Sequence, residues 1–346
     1  MEIAFEPIEN KENKYIGIMQ SYLKELGYDI VALKKIRDKN CKVLILNWYE
    51  DSPYPIKSYK NLLMLIKRSL RIVYLHAIGK KIVYVMHNRQ SHDKRVVSRL
   101  LQKFLINTAD IIQIHSRATE KYVGEKNKKK LFYIPHPNYI GCYPTHLSLY
   151  TRDALGLRDD RPVLLFVGAI KPYKNIELLI NVAKQYPEIQ FLIAGKPSNS
   201  EYKDKLIKTV NGIENITMLF KFVPDEELTD LLKVSDAIVL PYDISSSLNS
   251  GSVYLAFSNK KTVIAPFIAT LEDISEFKFF FGYNYDSQDD HEAKLKEVIE
   301  KLLSEYDDDK QLLNKMGEEA YQYVKKWHSK EEIMKSYTEM FTRLGI

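Results

Sequence analysis

Short runs of aliphatic and β-branched residues alternate along the chain with longer stretches whose apolar positions recur every three or four residues. In the first half, EIAFEP (2–7) precedes the helical pattern YIGIMQSYLKELG (15–27), where Gly27 suits a helix stop. DIVAL, CKVLILNW, a helix over 58–78, KIVYVMH, a helix over about 94–108, DIIQIHS and LFYIPH follow. PVLLFVGAI (162–170) opens a second series of strands: QFLIAG, ITMLF, AIVLPY and TVIAP. Helices over 175–185, 200–210, 225–233 and 251–259 separate them, and helices dominate from 290 to 341. This alternation predicts an α/β protein with parallel strands.

The pattern breaks at PNYIGCYPTHLSLYTRDALGLRDDRP, which holds three prolines and little periodicity. We therefore expect two α/β domains, 1–150 and 151–327. A chain of 346 residues is long enough for both.

Composition changes the picture in two places. Residues 1–150 carry 26 Lys plus Arg against 13 Asp plus Glu, whereas 151–346 carry 25 against 32, so the halves differ as +13 and −7. A basic half suggests an anionic partner, either phospholipid or nucleic acid. The basic residues are spread over several elements and no nucleic-acid module is recognisable, so the expectation is no nucleic acid. Second, Cys41 and Cys142 form no disulfide framework or metal spacing, which fits a reducing cytoplasm. MEIAFEPIEN reads as a strand rather than a secretory signal, and no apolar stretch is long enough to span a bilayer.

Three strand-end loops carry candidate chemistry. In FVGAIKPYKNIELLI, Gly168 ends a strand and Lys171 and Lys174 lie in the loop, where two compact positive charges suit a diphosphate. IAGKP places Gly195 at the next strand end. In DISSSLNSGSVYLAFSNKKTVIAP, Asn249, Ser250, Gly251 and Ser252 open a helix whose free N–H groups attract anions. Ser250 or Ser252 could equally be an N-cap. Asp307–Asp309 lies between helices and reads as solvated surface; with no His/Cys/acid cluster elsewhere, no catalytic metal and no cofactor are expected.

These motifs, in this order, resemble the donor-binding domain of the family 4 type of glycosyltransferase with the GT-B fold. KKIVYVMHNRQSHDK and IPHPNYIGCYP resemble the first-domain and inter-domain segments of a bacterial subgroup. The resemblance covers most of residues 57–275. It implies two Rossmann-like domains facing a central cleft, with a C-terminal helix over about 328–346 packing back on the first. It implies a nucleotide-diphosphate sugar as donor and a lipid-linked or polysaccharide acceptor in cell-surface glycan synthesis. Lys174 matches the diphosphate-binding lysine of the family; the usual arginine position is Ala169, so Lys171 is expected to substitute. Phe222 and Val223 join the donor-binding expectation. His87 and Asp93 are the candidates to deprotonate or orient the acceptor, with Asn88 and His92 binding it.

The family's paired glutamates are replaced by Ser247 and Leu255, which leaves sugar and ribose recognition unassigned and retention or inversion undetermined. A non-catalytic partner subunit is therefore the competing reading. SYKNLLMLIKRSLRIVYLHAIGKK is apolar almost all round, interrupted by Lys60, Lys67, Arg68 and Arg71. It fits either a half-buried helix covering the sheet or an interfacial helix at the inner face of an anionic membrane.

Overall fold

The computed structural model describes residues 1–10, 13–90, 95–144 and 150–346. Among the described residues, twelve strands form two six-stranded parallel sheets. The first contains β1 (Glu2–Glu6), β2 (Asp29–Ala32), β3 (Cys41–Asn47), β4 (Lys81–Val85), β5 (Ile111–Ile114) and β6 (Leu131–Tyr133), in the order β2-β1-β3-β4-β5-β6. The second contains β7 (Val163–Val167), β8 (Gln190–Ala194), β9 (Ile216–Leu219), β10 (Ala237–Val239), β11 (Thr262–Pro266) and β12 (Phe281–Tyr283), in the order β12-β11-β10-β7-β8-β9. β7, β8 and β11 are buried throughout, because helices cover both faces of a parallel sheet; this is why they read as unbroken apolar runs.

Each sheet has one place where the strand order reverses direction. In the first it lies between β1 and β3, in the second between β7 and β10. Ligands in open α/β sheets bind outside the carboxyl ends of strands at such points. The carboxyl ends of the two sheets face each other. Arg89 N–H donates to Ser246 O (3.0 Å), Asn88 forms an antiparallel bridge with Ser247, and Gln90 Nε2 donates to Ser245 O (3.1 Å). The segment after β4 is thus zipped to the polar loop after β10.

The chain passes between the domains twice. The outward crossing carries Asn138, whose Nδ2 donates to His328 O (2.9 Å) on the return crossing. Beyond it, the helix Lys330–Arg343 packs Ile333, Tyr337, Met340 and Phe341 into a core built on Ile3, Phe5, Tyr15 and Met19. Arg343 Nη1 also donates to Leu131 O (3.0 Å) on β6. Strand β12 escapes the sequence pattern because it has only three residues, two of them aromatic, set in a run of phenylalanines.

The helix Lys60–Ala77 buries Asn61, Met64, Ile72 and Leu75 against the first sheet. Its outer face is apolar: Leu62, Leu63, Ile66, Leu70 and Val73 are exposed, beside Val96 and Leu100 of the neighbouring helix Val96–Thr108. The four basic residues that interrupt this segment do not all face outward. Arg68 turns inward, its guanidinium donating to Asp51 O (2.8 Å) and Tyr49 O, and Arg71 points to the Tyr49 hydroxyl. Lys60 and Lys67 remain outside. Among the described residues no helix is long and apolar enough to cross a membrane.

Candidate active site

The β7/β10 crevice is built by two loops. After β7, Asn175 adopts a left-handed conformation (φ 54°), and its Nδ2 donates to Pro241 O (2.8 Å) in the loop after β10. That tie sets Lys174 over the Tyr242 ring, with Nζ 4.6 Å from its centroid. The Tyr242 hydroxyl in turn bonds Ser250 Oγ at 2.6 Å. Lys174, Tyr242 and Ser250 therefore form one continuous line from the first loop to the start of the helix Gly251–Ser258.

Lys174 is the electrostatically unsettled group of this site. Burial, with repulsion from Lys171 added, pushes its ammonium down to about 8. Its neighbours are the Tyr173 and Tyr242 rings, and no ion pair between described residues involves it. Lys171 is exposed on the same loop. An anion placed here would restore the charged lysine.

The helix start is both a cap and a set of open donors. Ser250 is the N-cap, its Oγ accepting from Val253 N–H (3.3 Å). The N–H groups of Gly251 and Ser252 donate to no described residue. A Cβ at Gly251 would point at the Tyr139 hydroxyl, 3.1 Å away. Gly195 is explained by packing, since its Cβ would lie 1.8 Å from the Gly168 carbonyl oxygen. Gly168 itself sits at φ +144°, at the turn out of β7.

Asn249 is a correction. Its side chain turns to the first domain, with Nδ2 3.3 Å from Met86 O, and its own N–H donates to His87 O (3.4 Å). It joins the domains instead of facing the crevice. Phe222 and Val223 lie on the loop after β9, an edge strand two places from the switch point. Phe222 is exposed and Val223 packs on the second core.

His87 is enclosed by the first domain. Its ring is buried, stacked on Trp48 (centroids 4.0 Å, 16°) and edge-on to Tyr15, with Nε2 donating to Asn47 Oδ1 (2.9 Å). Burial, then His115 and His136, drives it well below the ordinary histidine range, so it stays neutral. So enclosed, the ring supports Trp48 and Asn47. Asn88 is buried too, and its main-chain carbonyl accepts from Gln102 Nε2 (2.9 Å). His92 and Asp93 lie outside the described residues.

Behind His87 lies a cluster that sequence reasoning did not assemble. His115 Nδ1 donates to Ile134 O (2.8 Å) and its Nε2 accepts from the Tyr15 hydroxyl (2.8 Å). His136 stacks on Tyr254 of the helix Gly251–Ser258 (4.3 Å, 5°), and His328 Nδ1 donates to His136 O (2.8 Å). Four neutral histidines thus join the first sheet, both crossings and the helix that begins at the crevice. Among the described residues no group of three or more His, Cys, Asp or Glu could hold a metal ion.

Two parallel-sheet domains whose switch points confront one another across a cleft, one presenting lysines and helix N–H groups, define the GT-B class of sugar-transferring enzymes. The profile of the glycosyl transferases group 1 matches residues 150–323, and the chain belongs to that family. It is a glycosyltransferase.

An alpha-monoglucosyldiacylglycerol synthase of Acholeplasma laidlawii is 25% identical over 288 residues, 67% of this chain and 70% of that protein. A GDP-mannose:glycolipid 4-beta-D-mannosyltransferase of Xanthomonas campestris pv. campestris is 30% identical over 115 residues. That match covers 33% of this chain and only 32% of the relative's length. The Anabaena HepE protein, solved in complex with UDP, superposes with a TM-score of 0.71 at 14% identity, covering 99% of this chain and all of that one. This last likeness is one of fold.

Proposed function

We propose that the chain transfers a sugar from a nucleoside-diphosphate sugar to a lipid-linked or glycan acceptor at an anionic membrane surface, in cell-surface glycan synthesis. The carrying observation is Lys174, a desolvated lysine held by aromatic rings at the β7/β10 switch point. A donor diphosphate there would pair with Lys174 and Lys171 and receive the N–H groups of Gly251 and Ser252. As the glycosidic bond to phosphate breaks, charge grows on the diphosphate, and these fixed donors stabilise it. A partner subunit without activity would have no need to keep a lysine desolvated beside an open helix start.

The names of the relatives favour a glycolipid acceptor, since they describe a diacylglycerol glycolipid synthase and a glycolipid mannosyltransferase. The apolar outer face of the helix Lys60–Ala77, flanked by Lys60 and Lys67, suits shallow insertion into such a surface.

Titration calorimetry with UDP, GDP and dTDP tests the donor site. Lys174→Ala should weaken the preferred nucleotide by about 10- to 100-fold, equivalent to ~1.5–3 kcal/mol for a charge-assisted contact, with the melting temperature retained. Unchanged affinity would overturn the assignment.

A further inference from the structure

The Glu50 carboxyl is buried without a counter-charge bonded to it among the described residues. The residue follows β3 and is 1% exposed, and nothing described hydrogen-bonds its Oε2. The loop leaves it no way out. Trp48, at φ 49°, turns the chain out of β3 in a left-handed conformation that a bulky aromatic residue rarely adopts. Arg68 of the helix Lys60–Ala77 then clamps the carbonyls on either side of Glu50, those of Tyr49 and Asp51 (2.8 Å to the latter). Among the described residues, the charged groups facing the carboxyl are Asp51, next along the chain, and the Arg68 guanidinium. Burial, with repulsion from Asp51 added, outweighs the pull of Arg68 and raises the carboxyl to about 7. Glu50 thus changes charge near neutrality.

A line of side chains runs from this carboxyl to the domain boundary. The Tyr84 hydroxyl of β4 is also buried without a partner among the described residues, and it lies beside both Glu50 and the side-chain amide of Gln102 on the helix Val96–Thr108. Gln102 Nε2 donates to Asn88 O (2.9 Å), and Asn88 is the residue bridged to Ser247 of the polar loop. With a proton on Glu50, every group in the line can donate onward. The carboxyl O–H reaches the tyrosine oxygen, the tyrosine O–H the Gln102 carbonyl oxygen, and the amide N–H the Asn88 carbonyl. Bonds that all point one way polarise and strengthen one another. An ionised Glu50 only accepts, so it takes the tyrosine O–H and leaves the amide oxygen short of a donor.

We propose that Glu50 is a positioning residue that acts in its protonated form, holding the segment after β4 against the polar loop after β10 through Tyr84 and Gln102. Those two segments zip the domains together, so loss of the proton loosens the alignment of the domains between which sugar transfer takes place. The inference stands whichever donor the β7/β10 crevice takes, since Glu50, Tyr84 and Gln102 all belong to the first domain.

Hydrogen–deuterium exchange of the full chain near pH 6 and pH 8, with labelling times scaled to the intrinsic rate at each pH, tests it without any ligand. The readout is exchange in peptides covering 86–90 and 245–249, taken in the parent relative to Glu50→Gln, which keeps the side-chain shape and stays neutral. The ratio cancels the histidines and Lys174, which both proteins share. It should rise about tenfold between those pH values, the factor set by a carboxyl that returns from about 7 to its ordinary 4.5 when the zipper opens. Tyr84→Phe, which cuts the line and keeps Glu50, should show no such rise against the same reference. If Glu50→Gln melts early, the parent measured against Tyr84→Phe decides alone. A ratio that does not change with pH, a rise that survives Tyr84→Phe, or a rise shared equally by peptides of β3 and β7 would each overturn the proposal.

Discussion

Asp273 of the second domain accepts the main-chain N–H of Ala118 in the first at 2.7 Å, and that of Arg117 at 2.5 Å. Beside it, Ser116 Oγ donates to Ala269 O (2.6 Å) and Lys121 pairs with Glu272. This latch and the zipped segments after β4 and β10 hold the cleft closed. Asp273→Ala should lower stability by only ~1–2 kcal/mol, since part of the latch is solvent-exposed. It should also enlarge the radius of gyration in small-angle scattering. Scattering identical to the parent would show that the zipped segments alone keep the domains together.

The proposed placement of the donor diphosphate beside Lys174 should make its binding proton-linked. The folded-state pKa of Lys174, about 8, lies below the ordinary lysine value of 10.5. Between these values the unfolded chain holds a proton that the folded one lacks, so this group's contribution to stability rises with pH across that window. A bound diphosphate favours the charged form, so binding near pH 8 should take up a proton and weaken as pH climbs further. Calorimetry in buffers of differing ionisation enthalpy reads that uptake directly; none in the parent protein would contradict the placement.

The histidine cluster predicts an acid limit. His115 and His328 are pushed down to about 4, and His87 and His136 are also well below 6.5, with burial as the leading cause in each. Folded pKa values are depressed, so the unfolded chain binds protons first as pH falls. Stability should therefore drop from about pH 6.5 toward 4, by up to ~1.4 kcal/mol per pH unit for each histidine. Urea melts at neutral pH and near pH 5 measure the slope, and a flat profile would refute it.

Two glycines should separate by severity. Gly195→Ala forces a methyl into the Gly168 carbonyl, and we expect a loss of ~3 kcal/mol or more, or failure to fold. Gly251→Ala meets only the Tyr139 hydroxyl at 3.1 Å, so a small shift of that side chain should hold the loss near ~1 kcal/mol. Thermal melts of the two proteins should therefore differ widely.

The proposed docking on an anionic membrane should depend on apolar contact more than on charge. Leu63→Glu with Leu70→Glu should abolish sedimentation with anionic liposomes, whereas Lys67→Glu should only weaken it and make it less salt-sensitive. Equal effects from both would point back to a basic face.

The sequence pattern carries the elements well where apolar period and length agree. The helix Ser200–Val210 and strand β7 fall where periodicity puts them. Lys174 was legible as a loop cation, because a strand-end lysine is a local feature. The pairing of Tyr242 with Ser250, the turning of Asn249 to the first domain and the enclosure of His87 were not, since each depends on contacts between distant residues. The tyrosine looked like the tail of a strand. The NWYED run after β3 mixes aromatic and acidic residues at a strand end, and that signal could have pointed to Glu50. The strain at Trp48 has no trace in its neighbours' identities.

The helix Lys330–Arg343 has a consequence for biosynthesis. Its Ile333, Tyr337, Met340 and Phe341 complete the core around Ile3 and Phe5. Residues 3–19 are thus made long before the helix that completes their core. Throughout translation of the second domain, the surface that this helix will cover stays greasy and open to chaperones or to neighbouring nascent chains. The second domain is made between the two parts of this core, so its translation sets how long that exposure lasts.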